Sequence, residues 1–252
     1  MTDASSGSQL FGQPWVYEYI YPEASSDAAV ACERIISRFQ EDSGLSVLEV
    51  GCGIGRVISH LAEVGNQVCG IDSSEPMIEY GGVLHPDLRV ELADMRTFDL
   101  GEQFDVVLCV GSTFTRNLKN DEVHATLKNF RKHCRGGGLL ILSMLNASRF
   151  LGFETFNERT EMRVDEGEFH ATAFSRHILD RRKQSFRRVR TWKIDGQKEP
   201  VIDDAEFRLF FPLEIEDYLG QHGFSTLGMW DNADLRETDL SDRRVYIAAL
   251  AR

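Results

Sequence analysis

A glycine-rich loop in this chain follows a strand-like apolar run and precedes a helix-like segment. Residues 46–57 read SVLEVGCGIGRV, with three glycines within five residues. A strand that leads through a glycine turn into a helix points free backbone N–H groups at a ligand, and glycine lets that ligand approach closely. The loop therefore predicts an α/β sheet with a ligand site at the carboxyl ends of its strands.

Strand and helix patterns alternate on both sides of this loop. The later strands are continuous apolar runs, which indicates a parallel sheet covered by helices on both faces. Gly136–Gly138 are expected to end the connection that leads into the fifth strand. The predicted strands are 46–50, 67–71, 88–92, 104–110, 139–145, 225–230 and 245–250, and the predicted helices are 27–39, 56–64, 75–80, 121–134 and 212–222.

Residues 151–211 interrupt this alternation. The segments HATAFSRHIL, QSFRRVRTWKI and AEFRLFF alternate polar and apolar side chains, which predicts three antiparallel strands. The basic residues from Arg181 to Lys193 are expected either to grip an anionic substrate or to pair with acids on neighbouring strands. The expected regions are an N-terminal arm and helix that cover the ligand site (1–44), the α/β core (45–150 and 212–252) and an inserted antiparallel β lid (151–211).

Composition limits the classes of partner. The formal net charge of −12 disfavours a surface built for nucleic acid or anionic membrane. No apolar run is long enough to cross a membrane, and the opening MTDASSGSQLFGQ has no signal pattern, so it is expected to be a flexible arm. The five cysteines show no CxxC spacing or His–Cys cluster, so we expect no metal site and buried thiols in a reducing cytoplasm.

Two acidic residues distinguish between possible ligands of the loop. Asp72 follows Gly51 by 21 residues, a spacing at which a carboxylate accepts from ribose hydroxyls. Glu49 lies two residues before Gly51. Its carboxylate there would repel a pyrophosphate in a partly dry site. The same carboxylate favours the ammonium and sulfonium groups of S-adenosylmethionine, a nucleoside without phosphate. The alternatives are a loop that is only a tight turn and an Asp72 that only caps the next helix.

Five segments in a fixed order resemble one family of enzymes. LEVGCGIGR, GIDSSEPM, ELADMRTFDL, FDVVLCVGSTF and GGGLLILSM, within residues 45–145, are similar in order and spacing to the class I S-adenosylmethionine-dependent methyltransferases of the small-molecule type. The resemblance implies a Rossmann-like α/β fold, in which a seven-stranded, mostly parallel sheet has its last strand antiparallel. It also implies S-adenosyl-L-methionine as the cofactor.

The resemblance further implies a set of cofactor-binding residues. The loop with Glu49 would hold the methionine end, Asp72 the ribose, and Asp94 and Met95 the adenine amino edge, while Met77 would pack on the adenine. The segment from Cys109 to Ser112 would line the sulfonium. The expected set is Tyr17, Tyr21, Glu49, Gly51, Gly53, Gly55, Arg56, Asp72, Ser73, Met77, Asp94, Met95, Arg96, Cys109, Val110 and Gly111.

The aromatic stretch WVYEYIYPE is a candidate cover for that site. In relatives such an arm folds over the cofactor, and electron-rich rings attract a sulfonium through cation–π contacts. The alternative is a helix that only packs on the sheet. Among the other segments above the carboxyl ends of the strands, the expected substrate-binding residues are Phe114, Arg116, Asn146, Trp192 and Arg208.

Two residues are candidates for catalysis, and each has a structural alternative. Asn117 lies in the segment after the fourth strand and could reach the acceptor. The alternative is that Asn117 or Asn120 caps the following helix. His177 would serve as a base for a hydroxyl acceptor, whereas an amine acceptor needs only to be neutral. A histidine on a strand is more often structural. Trp192 and Arg208 would similarly act only as braces if the lid made no acceptor contacts.

The resemblance predicts methyl transfer to nitrogen or oxygen of a small-molecule acceptor, as in natural-product metabolism. The alternatives are an RNA or protein methyltransferase, a non-catalytic S-adenosylmethionine-binding protein and a nicotinamide enzyme. The segment after Val110 has no NPPY-like tetrapeptide, which disfavours methylation of nucleic-acid bases. We expect a monomer or homodimer that binds neither nucleic acid nor membrane.

Overall fold

The computed structural model describes residues 8–21, 24–151 and 160–252. These residues form a large mixed sheet with helices and a smaller antiparallel sheet. The strands are β1 Ser46–Val50, β2 Gln67–Asp72, β3 Arg89–Leu92, β4 Phe104–Cys109, β5 Cys134–Leu145, β6 Thr160–Glu166, β7 Phe169–Asp180, β8 Ser185–Ile194, β9 Val201–Arg208, β10 Phe224–Trp230 and β11 Arg244–Ala251. The helices are α1 Pro14–Ile20, α2 Ala24–Phe39, α3 Arg56–Glu63, α4 Glu75–Leu84, α5 Asn120–His133, α6 Ala147–Leu151 and α7 Pro212–Gln221, with short 3-10 turns at Gln9–Gly12 and Thr113–Arg116.

The large sheet has seven strands in the order β10-β11-β5-β4-β1-β2-β3. Pairing is parallel from β5 through β4, β1 and β2 to β3, whereas β11 runs antiparallel to both β5 and β10. The predicted fold class is therefore confirmed. The strand order reverses next to β1, which places the loop after β1 at the crevice where such sheets bind ligands.

Apolar layers cover both faces of this sheet. Alternate residues of β1 point to opposite faces, so Leu48 belongs to one buried cluster and Val47 to the other. The Leu48 layer includes Phe130 of α5 and Leu219 of α7. The Val47 layer includes Ile35 of α2, together with residues of α3. This two-sided packing holds the carboxyl ends of the strands at one fixed edge.

The start of one strand and the end of one helix differ from the sequence predictions. Glycines at both places let neighbouring backbone segments pack closely. Gly136–Gly138 do not precede the fifth strand; they lie inside β5 and form a bulge between the pairs Phe104–Cys134 and Val106–Leu139. Helix α4 was predicted to end at residue 80, but it continues through Gly81. A Cβ at Gly81 would lie 2.8 Å from the carbonyl oxygen of Ile54, so this glycine lets α4 pack directly against the glycine loop.

The inserted sheet has four strands in the order β6-β7-β8-β9, one more than predicted. The additional strand, Thr160–Glu166, is mostly exposed along its length. Its sequence TEMRVDE is rich in acidic side chains and shows little apolar alternation, so the pattern gave no strand signal there. Residues 152–159 of the predicted lid lie outside the described residues.

The start of the predicted flexible arm, residues 1–7, also lies outside the described residues. The remainder is ordered: the Ser8 hydroxyl donates to Oδ1 of Asp203 at 2.8 Å, and Leu10 is buried. All five cysteines are buried and free of disulfides. Within the ranges that the structure describes, no helix has the length and apolar character needed to cross a membrane.

Candidate active site

The glycine loop turns sharply between β1 and α3. Gly51 and Gly53 have φ angles of 78° and 57°, in the left-handed region that glycine adopts without strain. A Cβ at Gly51 would lie 2.4 Å from Cγ2 of Thr113, and one at Gly53 would lie 3.2 Å from Cε of Met77. The loop is therefore packed closely against the segment after β4 and against α4, with Gly55 at the start of α3.

Glu49 is a buried carboxylate beneath this loop. The residue is 3% exposed, and its Oε2 atom has no hydrogen-bond partner in the described part of the chain. Burial raises the pKa of Glu49 from 4.5 to about 8; the Ile58 backbone N–H acts in the opposite direction, and nearby Asp72 adds to the rise. A buried carboxyl with one oxygen unpaired is costly to ionise, so a cationic ligand beside it would stabilise the ionised form.

Asp72 ends β2 and faces the same loop. Its Oδ2 atom accepts from the backbone N–H of Gly53 at 2.8 Å, and its Oδ1 atom accepts from the N–H of Ser74 at 2.9 Å. Burial raises the pKa of Asp72 although these bonds favour the ionised form. Because a carboxylate offers about four acceptor positions, capacity remains for ligand hydroxyls. Asp72 thus supports the turn into α4. Ser73, the next residue, is exposed. The role of Asp72 toward a ribose stays a prediction.

The aromatic helix α1 lies against this site. The Arg56 guanidinium donates to the backbone carbonyl oxygens of Tyr21 at 2.6 Å and Glu18 at 3.1 Å, and the Tyr80 hydroxyl donates to the Glu18 carboxylate at 2.6 Å. Burial raises the pKa of Tyr17, whose phenol is also influenced by Arg56, Tyr21, Glu49 and Asp72. Tyr17 is therefore buried close enough to Glu49 and Asp72 for both acids to add to the rise in its pKa. Arg56 thus holds the helix, and its role toward the cofactor stays a prediction.

The segment after β4 provides a second buried polar atom without a partner. Cys109 and Val110 are buried, Gly111 is exposed, and Gly111 and Ser112 both have positive φ angles, 68° and 69°. The Ser112 Oγ atom has no hydrogen-bond partner among the described residues, although the residue is buried. Two consecutive left-handed residues turn the chain back, so that Thr113 contacts the glycine loop.

The expected adenine-side residues are held by neighbouring side chains. Arg96 donates from Nε to Oδ1 of Asp94 at 2.8 Å and lowers the pKa of that carboxyl. The Met95 carbonyl oxygen accepts from the Asn129 side chain at 3.3 Å. Met77 is buried against Gly53. Asp94 and Arg96 therefore form a partly exposed ion pair at this end, and an adenine contact for any of the set stays a prediction.

Two expected acceptor residues lie in the packed interior instead. Phe114 is completely buried, and its ring centroid lies 5.5 Å from that of Phe210. Asn146 donates from Nδ2 to the carbonyl oxygen of Asp242 at 2.9 Å, and its Oδ1 accepts from the N–H of Ser148 at 3.1 Å. Phe114 fills the core, and Asn146 ties the end of β5 to the segment before β11. An acceptor contact by either residue stays a prediction.

Asn117 is likewise fixed by structural bonds. Its Nδ2 donates to the Phe114 carbonyl oxygen at 3.0 Å, and its Oδ1 accepts from the Thr126 hydroxyl at 3.0 Å. The residue is 1% exposed, so the side chain holds the turn and does not present itself to an acceptor. Neither Asn117 nor Asn120 caps α5; Oε2 of Glu122 accepts from the backbone N–H of Lys119 at 3.0 Å.

Trp192 and Arg208 are both buried at packing contacts. Trp192 lies in an apolar cluster that joins the inserted sheet to α1 and the turn before it. Arg208 donates to Oδ1 of Asn120 at 2.7 Å and to Oε1 of Glu214 at 2.8 Å, which joins the end of β9 to α5 and α7. These contacts favour the alternative that both residues brace the inserted sheet.

Arg116 and His177 lie on the side of the inserted sheet. Arg116 donates to the Glu206 carbonyl oxygen at 3.0 Å, with its guanidinium 5.3 Å from the Phe207 ring centroid. Burial, together with Arg190 and nearby arginines, lowers the pKa of His177 to about 4. The ring is therefore neutral at pH 7 and is a weak base. A direct acceptor contact by either residue stays a prediction.

Sequence reasoning missed three residues that shape the site. Thr113 fixes Gly51, Glu18 anchors α1 to Tyr80, and the Phe11 carbonyl oxygen accepts from the Ser74 hydroxyl at 3.3 Å. Of the three, only Glu18 could have been found from the sequence, because it is the acidic residue within the tyrosine-rich helix. Thr113 and Phe11 act through packing and a backbone atom, which sequence patterns do not reveal.

Comparisons with known proteins agree with this geometry. Residues 47–138 match the family model of the methyltransferase domain. The chain is 26% identical over 129 residues to a dTDP-4-amino-2,3,4,6-tetradeoxy-D-glucose N,N-dimethyltransferase of Saccharopolyspora spinosa, covering 50% of this chain and 52% of that protein. It is 32% identical over 122 residues to a dTDP-3-amino-3,6-dideoxy-alpha-D-glucopyranose N,N-dimethyltransferase of Streptomyces fradiae, covering 48% and 46%. The match thus spans about half the length of these curated relatives.

A solved structure extends the likeness to the whole fold. Streptomyces venezuelae DesVI superposes with a TM-score of 0.79 over 95% of this chain and 97% of its own, at 19% sequence identity. The chain therefore shares the fold of this methyltransferase structure, and residues 47–138 of that fold match the methyltransferase domain.

Proposed function

We propose that this protein is an S-adenosylmethionine-dependent methyltransferase that acts on the amino group of a small molecule. The observation that carries the proposal is the buried Glu49 carboxyl, whose Oε2 has no partner in the described chain, next to Asp72 and the glycine loop. This arrangement attracts an ammonium or sulfonium group and repels a phosphate. It therefore fits a cationic nucleoside better than a dinucleotide.

The residues present fit this cofactor. Glu49 would face the positive methionine end, and Asp72 retains acceptor capacity for the ribose hydroxyls. Gly53 keeps the loop surface free of a side chain, and Tyr17 would close the site from above. When bound, S-adenosylmethionine supplies a methyl group on a positively charged sulfur. The buried Ser112 hydroxyl would orient ligand groups after β4.

An amine acceptor needs positioning and exclusion of water more than a strong base. Helix α1 and the inserted sheet provide the cover, since they share one buried cluster beside the site. A neutral amine is already nucleophilic, so orientation supplies much of the rate. His177, with its pKa lowered to about 4, would contribute little as a base. The amino-sugar N,N-dimethyltransferases among the relatives support the same acceptor class.

Binding and turnover test this function separately. Calorimetry with S-adenosylhomocysteine should show a saturable heat, whereas NAD should show none. Release of S-adenosylhomocysteine should then depend on an amine in a panel of paired amino sugars and hydroxy sugars, with a peptide amine and an RNA as further arms. Binding of NAD alone would contradict the cofactor assignment, and turnover confined to the peptide or the RNA would contradict the small-molecule acceptor.

A further inference from the structure

The buried face of the inserted sheet carries positive charge. Along β8, Arg188 and Arg190 point inward together with Phe186 and Trp192, while Arg187 is exposed. Arg190 is 5% exposed, donates from Nε to the Ser175 hydroxyl at 3.0 Å and also donates to the Tyr21 hydroxyl. Buried guanidinium groups are uncommon unless something of opposite charge faces them.

Two more arginines from the core join this face. Arg116 comes from the segment after β4; burial and Arg188 lower its pKa, while Asp203, Asp204 and Glu206 raise it. Arg243 precedes β11, and its guanidinium lies 5.7 Å from the ring centroid of Phe150, which in turn lies 4.9 Å from that of Phe186 on β8. Desolvation, Arg188, Arg190 and Arg244 lower the pKa of Arg243 to about 10. Arg116, Arg188, Arg190 and Arg243 are called the arginine cluster below.

Acidic residues offset only part of this charge. Asp203 is buried and accepts from Arg188 at 2.9 Å and from the Ser8 hydroxyl at 2.8 Å. Asp204 pairs with the exposed Arg187, and Glu206 accepts from the Ser185 hydroxyl at 2.6 Å. The neighbouring His177 is neutral at pH 7. Of the four guanidinium groups, the one that the buried Asp203 binds is therefore that of Arg188.

One buried N–H group of the cluster has no acceptor in the part of the chain that the structure describes. The Nε atom of Arg188 is buried and has no hydrogen-bond partner among the described residues. Arg188 already uses another nitrogen for Asp203, so the side chain is held in place while Nε stays available. A guanidinium fixed in this way presents a fork of donors that matches the oxygens of a phosphate group.

A chain of aromatic contacts joins the cluster to the proposed cofactor site. The Arg190 guanidinium lies 6.0 Å from the Tyr21 ring centroid, and the Tyr21 and Tyr17 ring centroids are 5.3 Å apart. Tyr17 in turn is influenced by Glu49 and Asp72. The two tyrosines thus connect Arg190 with the surroundings of Glu49 and Asp72.

We propose that the arginine cluster binds a phosphate or pyrophosphate group of the acceptor. The inference rests on the proposed function, because it names the group by which the amine acceptor is held. The separation of charges would orient that acceptor: its anionic end lies at the cluster, and its amine lies toward the methyl donor near Glu49. A multivalent anion matches the excess of positive charge better than a single carboxylate does.

The test uses the full chain saturated with S-adenosylhomocysteine, titrated by calorimetry with inorganic pyrophosphate, with a nucleoside diphosphate and with malonate. Arg188→Gln should weaken pyrophosphate binding about tenfold or more. The matched control is Arg187→Gln, the next residue of the same strand on its exposed face, which should change binding by less than about twofold. Both variants should bind S-adenosylhomocysteine as the wild type does.

The possible outcomes distinguish failure of the proposed function from failure of the phosphate site. Failure of the wild type to bind S-adenosylhomocysteine contradicts the proposed function, whereas normal binding of it without pyrophosphate or nucleoside diphosphate binding contradicts only the phosphate site. Equal losses in Arg188→Gln and Arg187→Gln, or preferential binding of malonate, also overturn it. Should Arg188→Gln not fold, Arg243→Gln replaces it, because no hydrogen bond of that guanidinium to the described residues would be lost. It should weaken pyrophosphate binding about fivefold.

Discussion

Arg56 donates a hydrogen bond from its guanidinium to the backbone carbonyl oxygen of Tyr21, 2.6 Å away. Arg56 is the first residue of α3, directly after the glycine loop, and Tyr21 follows the last turn of α1. One side chain therefore connects the start of α3, directly after the glycine loop, to the end of α1. Cofactor binding and the position of α1 should consequently be coupled.

Arg56→Ala tests that coupling. The variant loses bonds to two carbonyl oxygens, each worth about 1.5–3 kcal/mol when the donor is charged, so α1 should detach more often. S-adenosylhomocysteine affinity should fall about tenfold, and limited proteolysis should cut near α1 sooner. Arg89→Ala, which removes an exposed ion pair on β3, is the control. Unchanged affinity together with unchanged proteolysis would contradict the coupling.

Gly53→Ala tests whether the loop surface is reserved for a ligand. The added Cβ meets the Met77 methyl and is strained at positive φ, and it occupies the approach to the loop. S-adenosylhomocysteine affinity should fall at least about tenfold in a protein that still folds. Gly101→Ala is a matched control, because its φ of 68° carries the same strain while its Cβ meets nothing within 4 Å. Equal affinities in both variants would show that the loop is only a turn.

Trp192→Ala should act on stability. The side chain is fully buried between the inserted sheet and α1, and removal of a buried Trp costs about 3–5 kcal/mol. The Tm should fall strongly, while Trp192→Phe should recover much of the loss. A normal Tm with a lowered turnover would instead return Trp192 to the acceptor site.

Arg208→Ala should also destabilise the fold. Its loss leaves Glu214 without its buried partner and detaches β9 from α5 and α7. Breaking such a pair costs about 3–5 kcal/mol when both groups are buried, and less here because Glu214 is partly exposed. Denaturant unfolding measures the loss, and Arg208→Lys should restore only part of it. An unchanged unfolding midpoint would refute the bracing role.

The order of strands and helices could be predicted from the sequence, whereas the direction in which individual side chains point could not. Apolar strands alternating with helices gave the sheet, and the spacing from Gly51 to Asp72 gave the acid that now contacts Gly53. Phe114 was placed at the site because it follows β4. The left-handed backbone at Gly111 and Ser112 reverses the chain there, and Phe114 enters the core instead.

Long-range contacts were the other gap. In the sequence, Asn146 directly follows β5 and Arg208 is the last residue of β9. Their hydrogen-bond partners, Asp242 and Asn120, are distant along the chain, so the sequence pattern does not reveal them. The two-residue period of β8 places Arg188 and Arg190 on the face of Trp192. It could not show that Arg116 and Arg243 approach the same face, because those residues come from other parts of the fold.

Glu49→Gln probes the acid beneath the loop through stability. The folded pKa of about 8 lies above the ordinary value of 4.5, so the folded state binds the proton more tightly. Stability from this group is therefore fully present below pH 4.5 and is lost as the pH rises through 8. In the absence of ligand, the Tm of the wild type should decline relative to that of Glu49→Gln between pH 6 and pH 8.5, by scanning calorimetry. Parallel pH profiles would contradict the raised pKa.

The most direct measurement is calorimetric titration of S-adenosylhomocysteine into wild type and Glu49→Gln across the same pH range. Its ammonium should stabilise the ionised carboxylate, so wild-type binding should release a proton near pH 7 and tighten as the pH rises toward 8. Glu49→Gln should bind about tenfold or more weakly, without that proton release. Equal affinity of the two proteins, with no proton released by either, would contradict a loop built for a cationic nucleoside.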